Sequence, residues 1–155
     1  SSAASDVYKR QVHDLPQDYA DMTGWEELAN IVIKVYRHLP GHERHRTAIY
    51  ADNYGLAGAI KYYGKAEGLP EPISFSDSFL LWAPDEVDAD VLIYVNDELG
   101  SDIEAAFANI TFAGAITNPQ ARESGVRVYV CRGMKNDFRG YYADKVRGLK
   151  SLYRR

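Results

Sequence analysis

Helical and extended spacings of apolar residues alternate along this chain. Trp25, Leu28, Ala29, Val32, Val35, Tyr36 and Leu39 recur at helical intervals and predict a helix that Pro40-Gly41 stops. Thr23-Gly24-Trp25-Glu26 reads as its capping box, with Thr23 as N-cap. Thr47–Ala51 predicts a short strand. Leu56, Ala59, Ile60 and Tyr63 predict a second helix ended by Gly64. Ile73-Ser74-Phe75 suits another short strand. Val91–Val95, an apolar run between Asp90 and Asn96, predicts a central strand buried on both faces. Ser101-Asp102-Ile103-Glu104 reads as a second capping box, opening a helix that buries Ile103, Ala106, Phe107 and Ile110.

Thr111–Thr117 predicts a strand with Gly114 as its weak point. Val126, Val128 and Val130 alternate with Arg127, Tyr129 and Cys131, giving a strand with two unlike faces. A last helix is predicted to bury Phe138, Tyr142, Val146, Leu149 and Leu152. Alternating helices and strands joined by short connections argue for one α/β domain, Rossmann-like and three-layered, with a mainly parallel sheet.

Composition changes this picture little. Hydrophobic residues at 46% of 155 can build a core, and a net charge of −4 without a basic run argues against nucleic-acid binding. The 12 tyrosines suit half-buried surfaces that keep a hydroxyl for a partner. One cysteine, Cys131, excludes an internal disulfide. The Val91–Val95 run falls far short of the about 20 apolar residues that span a bilayer. Residues 1–11 look foreign to the rest. Asp6-Val7-Tyr8-Lys9-Arg10-Gln11 can be encoded by a nucleotide string that resembles the transposon end used to prepare sequencing libraries. These residues are therefore expected to be an adapter-derived or disordered tail, with residues 12–155 forming the domain and its parent continuing upstream.

The densest candidate site is Ala51-Asp52-Asn53-Tyr54-Gly55-Leu56-Ala57-Gly58, between a predicted strand and a predicted helix. Asn53, Gly55 and Gly58 occupy the positions of a G-x-G-x-x-G turn, asparagine being tolerant of the left-handed conformation. Asp77 follows Gly58 at about 20 residues, the spacing of a ribose-binding carboxylate. A tight strand-to-helix turn, a ligand or acceptor contact and a dinucleotide site all fit this segment. Ser76, Asp77, Ser78 and Trp82 sit in a second segment whose hydroxyls, carboxylate and aromatic ring suit a sugar. The same residues also suit a loop with Trp82 plugging the core, or a serine hydrolase. His38, His42 and His45 lack the H-E-x-x-H spacing of a zinc site and read as a solvated loop. Cys131 has no evident histidine partner and reads as structural. Arg132 is a candidate for a carboxylate or phosphate, or for a surface ion pair. No catalytic residue, metal site or cofactor is assigned.

Taken in order, several segments resemble the C-terminal soluble domain of bacterial family 39-type membrane glycosyltransferases, relatives of the dolichyl-phosphate-mannose–protein mannosyltransferases. They are Leu15–Leu28, Asn53–Ile60, Tyr63-Gly64, Gly68-Leu69-Pro70, Ser78–Pro84 and Val128–Gly133. The resemblance implies an upstream transmembrane portion of the same polypeptide that carries the catalytic carboxylate and transfers sugar from a polyprenyl-phosphate donor. It places this domain on the extracytoplasmic side, with a role in acceptor recognition or in supporting external loops. It implies contact with the lipid-linked sugar or the acceptor, and no catalysis by the domain alone. The chain departs from the family at Ser76-Asp77-Ser78, where histidine and asparagine are common. It departs again near Tyr141-Tyr142-Ala143, where a tryptophan–proline pair is common, so a different acceptor is expected. The alternative is a free-standing Rossmann-like module for a nucleotide or phosphate ester.

Overall fold

A computed structural model of the protein describes residues 22–122 and 124–153. The foreign-looking residues 1–11, and the part of the resemblance that falls on Leu15–Asp21, lie outside the described residues. Helix α1 covers 22–38. It is followed by α2 (Gly41–Arg44), β1 (Thr47–Ala51), α3 (Tyr54–Gly64), a 3-10 turn (Lys65–Glu67) and α4 (Asp77–Trp82). Then come β2 (Val91–Asn96), α5 (Ser101–Ala106), β3 (Phe107–Ala115), β4 (Arg127–Met134) and α6 (Asn136–Tyr153).

The strands form one open sheet of order β1-β2-β4-β3. As expected, β2 is central, and Val91–Val95 are all buried. The expectation of a mainly parallel sheet is corrected. Only β1 and β2 run parallel, in register from Thr47 opposite Val91 to Ala51 opposite Val95; β4 is antiparallel to both β2 and β3. The cause is the short link between β3 and β4. Ile116 N–H donates to the Val126 carbonyl at 2.9 Å and Gly125 N–H to the Ile116 carbonyl at 3.1 Å, so the chain reverses there as a hairpin. A parallel return would need a crossover, which this link does not carry. Ile73 adds a single parallel bridge to Tyr50, in place of the short strand expected there.

Alternation sorts each strand between two layers. Ile49, Ala51, Val91, Ile93, Val95, Val128 and Val130 face Leu28 and Val32 of α1 and Leu56 and Ile60 of α3. On the opposite side, Leu92, Tyr94 and Cys131 pack with Phe107 and, together with Ala48 and Tyr50, against Phe138. Farther along α6, Tyr142 and Val146 close over Ile73, Ala83 and Val87. The helices therefore cover both faces of the sheet.

Three local expectations change. Thr23 is not an N-cap: it lies within α1, and its hydroxyl oxygen accepts from the Asn118 side chain at 2.9 Å. Helix α5 takes Gly100 as its N-cap, with no side-chain cap hydrogen bond, so the capping box expected to open at Ser101 does not form; the helix ends at Ala106, and Phe107 and Ile110 lie on β3. The aromatic and β-branched residues of Phe107–Phe112 favour extension, and helical spacing there was coincidental. Leu152 is not buried but 60% exposed, because α6 runs on past the last residues it buries, Tyr142 and Val146. No helix among the described residues is long and apolar enough to cross a membrane.

Candidate functional site

The Asn53–Gly58 turn is built as a helix cap. Asn53 sits in extended backbone at φ −133°, not in the left-handed region, and its Oδ1 accepts the Leu56 N–H at 3.0 Å. Gly55 has a close neighbour: a Cβ there would lie 3.0 Å from the Trp25 ring. Gly58 faces open space, so it is not a point of tight helix–sheet packing. Tyr54 is half exposed and meets Phe79 edge-on, with ring centroids 5.4 Å apart.

The serine segment is tied to the backbone. Ser74 is fully buried and its hydroxyl accepts the Ser76 N–H at 3.3 Å; the Ser76 hydroxyl donates to the Asp52 carbonyl at 3.3 Å. The backbones of Asp77 and Ser78 open α4, and their side chains lie outside the described part. Trp82 does not plug the core: it is 79% exposed at the end of α4.

Arg132 stands opposite Val91, at the start of β2, whereas Asn53 and Ser76 lie beyond the other end of β1. The sheet thus separates Arg132 from the other candidates. Its guanidinium forms a two-pronged bond to Glu43, at 2.7 and 3.1 Å, and this bond holds the Glu43 carboxyl below its ordinary range. Cys131 is fully buried and its thiol is pushed up to about 12 by desolvation, in keeping with a structural role. His38, His42 and His45 are exposed, and no metal-holding cluster occurs among the described residues.

The feature best shaped to hold a ligand is a cleft of about 180 Å³ between the ends of β1 and β2, the residues after β2, and α6. Its wall is aromatic. Tyr50 and Tyr94, paired across β1 and β2, stack with centroids 5.6 Å apart and planes 5° from parallel. Phe75 meets Tyr50 edge-on at 5.3 Å and Tyr142 at 5.6 Å. The polar groups are few: Asp52 directly after β1, Asp102 on α5 and Lys145 on α6. Lys145 Nζ lies 5.1 Å from the Phe75 ring centroid and 5.6 Å from that of Tyr141.

Burial raises the Tyr50 hydroxyl's pKa, and the charge of Asp52 adds to the effect. Tyr94 is raised by burial as well, although its oxygen accepts from the Asn96 side chain at 3.1 Å. Both phenols therefore stay neutral near pH 7 and can act as donors. Of the segments singled out from the sequence, Asp52 and Tyr141-Tyr142 line this cleft, whereas Asn53, Tyr54, Gly55, Gly58, Ser76, Trp82 and Arg132 do not. The signal was there in part: one tyrosine at the fourth position of each of two strands, with Asp52 at a strand's carboxyl end, where open α/β sheets bind ligands. A wider groove of about 680 Å³ runs between α1 and β3, lined by no Phe, Tyr or Trp among the described residues. There Glu27 is already engaged by the Thr117 N–H and hydroxyl at 2.5 and 2.8 Å. Compared with known proteins, the chain matches no family model, no curated protein and no solved structure.

Proposed function

We propose that the chain is the extracytoplasmic C-terminal domain of a membrane glycosyltransferase of the family 39 type. In this reading it recognises the acceptor or supports external loops, and the transfer chemistry belongs to the transmembrane portion of the same polypeptide. One observation carries the reading: segments that resemble the family meet one another at joints of the fold. Trp25, from the first segment, lies against Gly55 of the second, and Tyr54 of the second meets Phe79 of the Trp82-Ala83-Pro84 segment. Gly64, from Tyr63-Gly64, leaves room for Leu69 of the Gly68-Leu69-Pro70 segment, where a Cβ would come within 3.0 Å of the leucine side chain. Motifs that interlock in three dimensions favour a shared domain over scattered chance matches.

On the same reading, β1–α3–β2 is a Rossmann-like unit, to which the β3–β4 hairpin adds the antiparallel half. The free-standing nucleotide-binding alternative is weaker. Its phosphate-binding turn is a cap whose asparagine oxygen already takes the Leu56 N–H. The test is the reading frame upstream of Val12. It is expected to encode multiple apolar segments of about 20 residues, each able to span a bilayer. A complete gene encoding only a short soluble protein would overturn the reading.

A further inference from the structure

We infer that the aromatic cleft between the ends of β1 and β2 and helix α6 is a binding site for one neutral sugar ring. The inference stands on the cleft and does not require the membrane parent. Its first support is an unused donor. The Tyr50 ring is held by the Tyr94 and Phe75 rings, and its hydroxyl has no hydrogen-bond partner among the described residues. Buried polar groups in native proteins are almost always partnered, and a phenol that opens on a cleft takes its partner from water or from a ligand hydroxyl. The Tyr50 oxygen is not sealed in, because Arg44 Nε alone is both sealed and unpartnered among the described side chains. It therefore opens on the cleft that Tyr50 lines.

The second support is the choice of charges. Asp52 and Asp102 offer acceptors beside Tyr94, and no salt bridge engages either carboxylate among the described residues. Two acceptors and a phenol suit a ligand rich in hydroxyl donors. The same carboxylates disfavour a phosphate or a nucleotide. An ammonium ligand is disfavoured too, because Lys145 already lies over the Phe75 and Tyr141 rings. What remains is an uncharged polyol with an apolar face to lay on aromatic carbon. The volume of about 180 Å³ leaves room for a single ring.

The test is saturation-transfer NMR on the 155-residue chain with methyl glycosides of glucose, mannose and galactose, run beside inorganic phosphate and tetramethylammonium as competitors. At least one glycoside is expected to bind with Kd on the order of 1 mM, as one ring with a few hydrogen bonds allows. Tyr50→Phe and Asp52→Asn are each expected to weaken binding about fivefold or more, the effect of one lost hydrogen bond. Both changes are nearly isosteric, and circular dichroism confirms that the variants remain folded. Tyr62→Ala, at an exposed ring on α3 outside the cleft, is expected to leave binding unchanged. Saturation transfer to none of the glycosides, equal binding by both cleft variants, or displacement of a glycoside by phosphate or tetramethylammonium would each overturn the inference.

Discussion

Trp25 on α1 and Gly55 on α3 touch so closely that a Cβ at residue 55 would lie 3.0 Å from the indole Cη2 and 3.4 Å from Cζ2. The two helices cover the same face of the sheet, so this contact sets how near they stand. Gly55→Ala gains helix propensity of roughly 0.5–1 kcal/mol, which offsets most of the crowding. Gly55→Val has no such compensation. It is expected to destabilise by about 1–3 kcal/mol, read as a lower urea midpoint. The same substitution in a Trp25→Ala background should cost clearly less. An equal cost in both backgrounds would show that the ring is not what excludes the side chain.

Asn53 is expected to act through its cap. Asn53→Ala removes the Oδ1 that accepts the Leu56 N–H and should cost about 1 kcal/mol. Asn53→Asp keeps an acceptor at the same place and should retain most of the stability. Urea denaturation of the three proteins distinguishes this role from a purely ligand-contacting one, in which neither change would move the midpoint.

Legibility in the sequence followed how local each determinant was. Val91–Val95 announced itself, because burial on both faces leaves no polar position to mask the pattern; Thr47–Ala51, half-buried at the sheet edge, showed only as a short apolar run after Thr47. The direction of β4 could not be read. Parallel and antiparallel strands share one alternation, and the reversal depends on backbone bonds between Ile116, Gly125 and Val126. Phe107 and Ile110 were misread because four residues of extended chain can mimic helical spacing. The candidate site suffered more. Glycines and serines in the Asn53 and Ser76 segments signalled chemistry but serve turns and caps. The cleft joins Tyr50, Tyr94 and Lys145 from three elements, and no window along the sequence contains them all.

Glu43 and Arg132 join α2 to β4, with side chains 18% and 37% exposed respectively. Solvent screening on the arginine side limits their coupling, which a double-mutant cycle with Glu43→Gln and Arg132→Gln should place at about 1 kcal/mol. The sign of the pH dependence follows from Glu43. Its folded-state pKa lies below the ordinary 4.5, chiefly through the Arg132 hydrogen bond. The stabilisation is therefore complete above pH 4.5 and disappears as pH falls through the lowered value. Wild type should lose stability relative to Glu43→Gln over that acid range. Parallel pH profiles for the two proteins would exclude the pair as a stabilising contact.

Trp82 offers a sharp contrast with Trp25. At 79% exposure it contributes little packing, so Trp82→Ala should change the urea midpoint by no more than about 0.5 kcal/mol equivalent. It should also remove the component of tryptophan fluorescence that iodide quenches most readily. A large destabilisation would mean that the indole is covered in solution.

Cys131 reports on the integrity of the sheet. It lies on β4 opposite Leu92 and Ile110, wholly buried, with its thiol raised to about 12 by desolvation. The reactive species is the thiolate, so at pH 8 the native thiol is both inaccessible and protonated. Iodoacetamide should fail to label the folded chain and should label it rapidly in concentrated urea. At intermediate urea the labelling rate should follow the unfolded fraction measured by circular dichroism. Labelling that ran well ahead of that fraction would show that β4 opens locally, before the rest of the sheet unfolds.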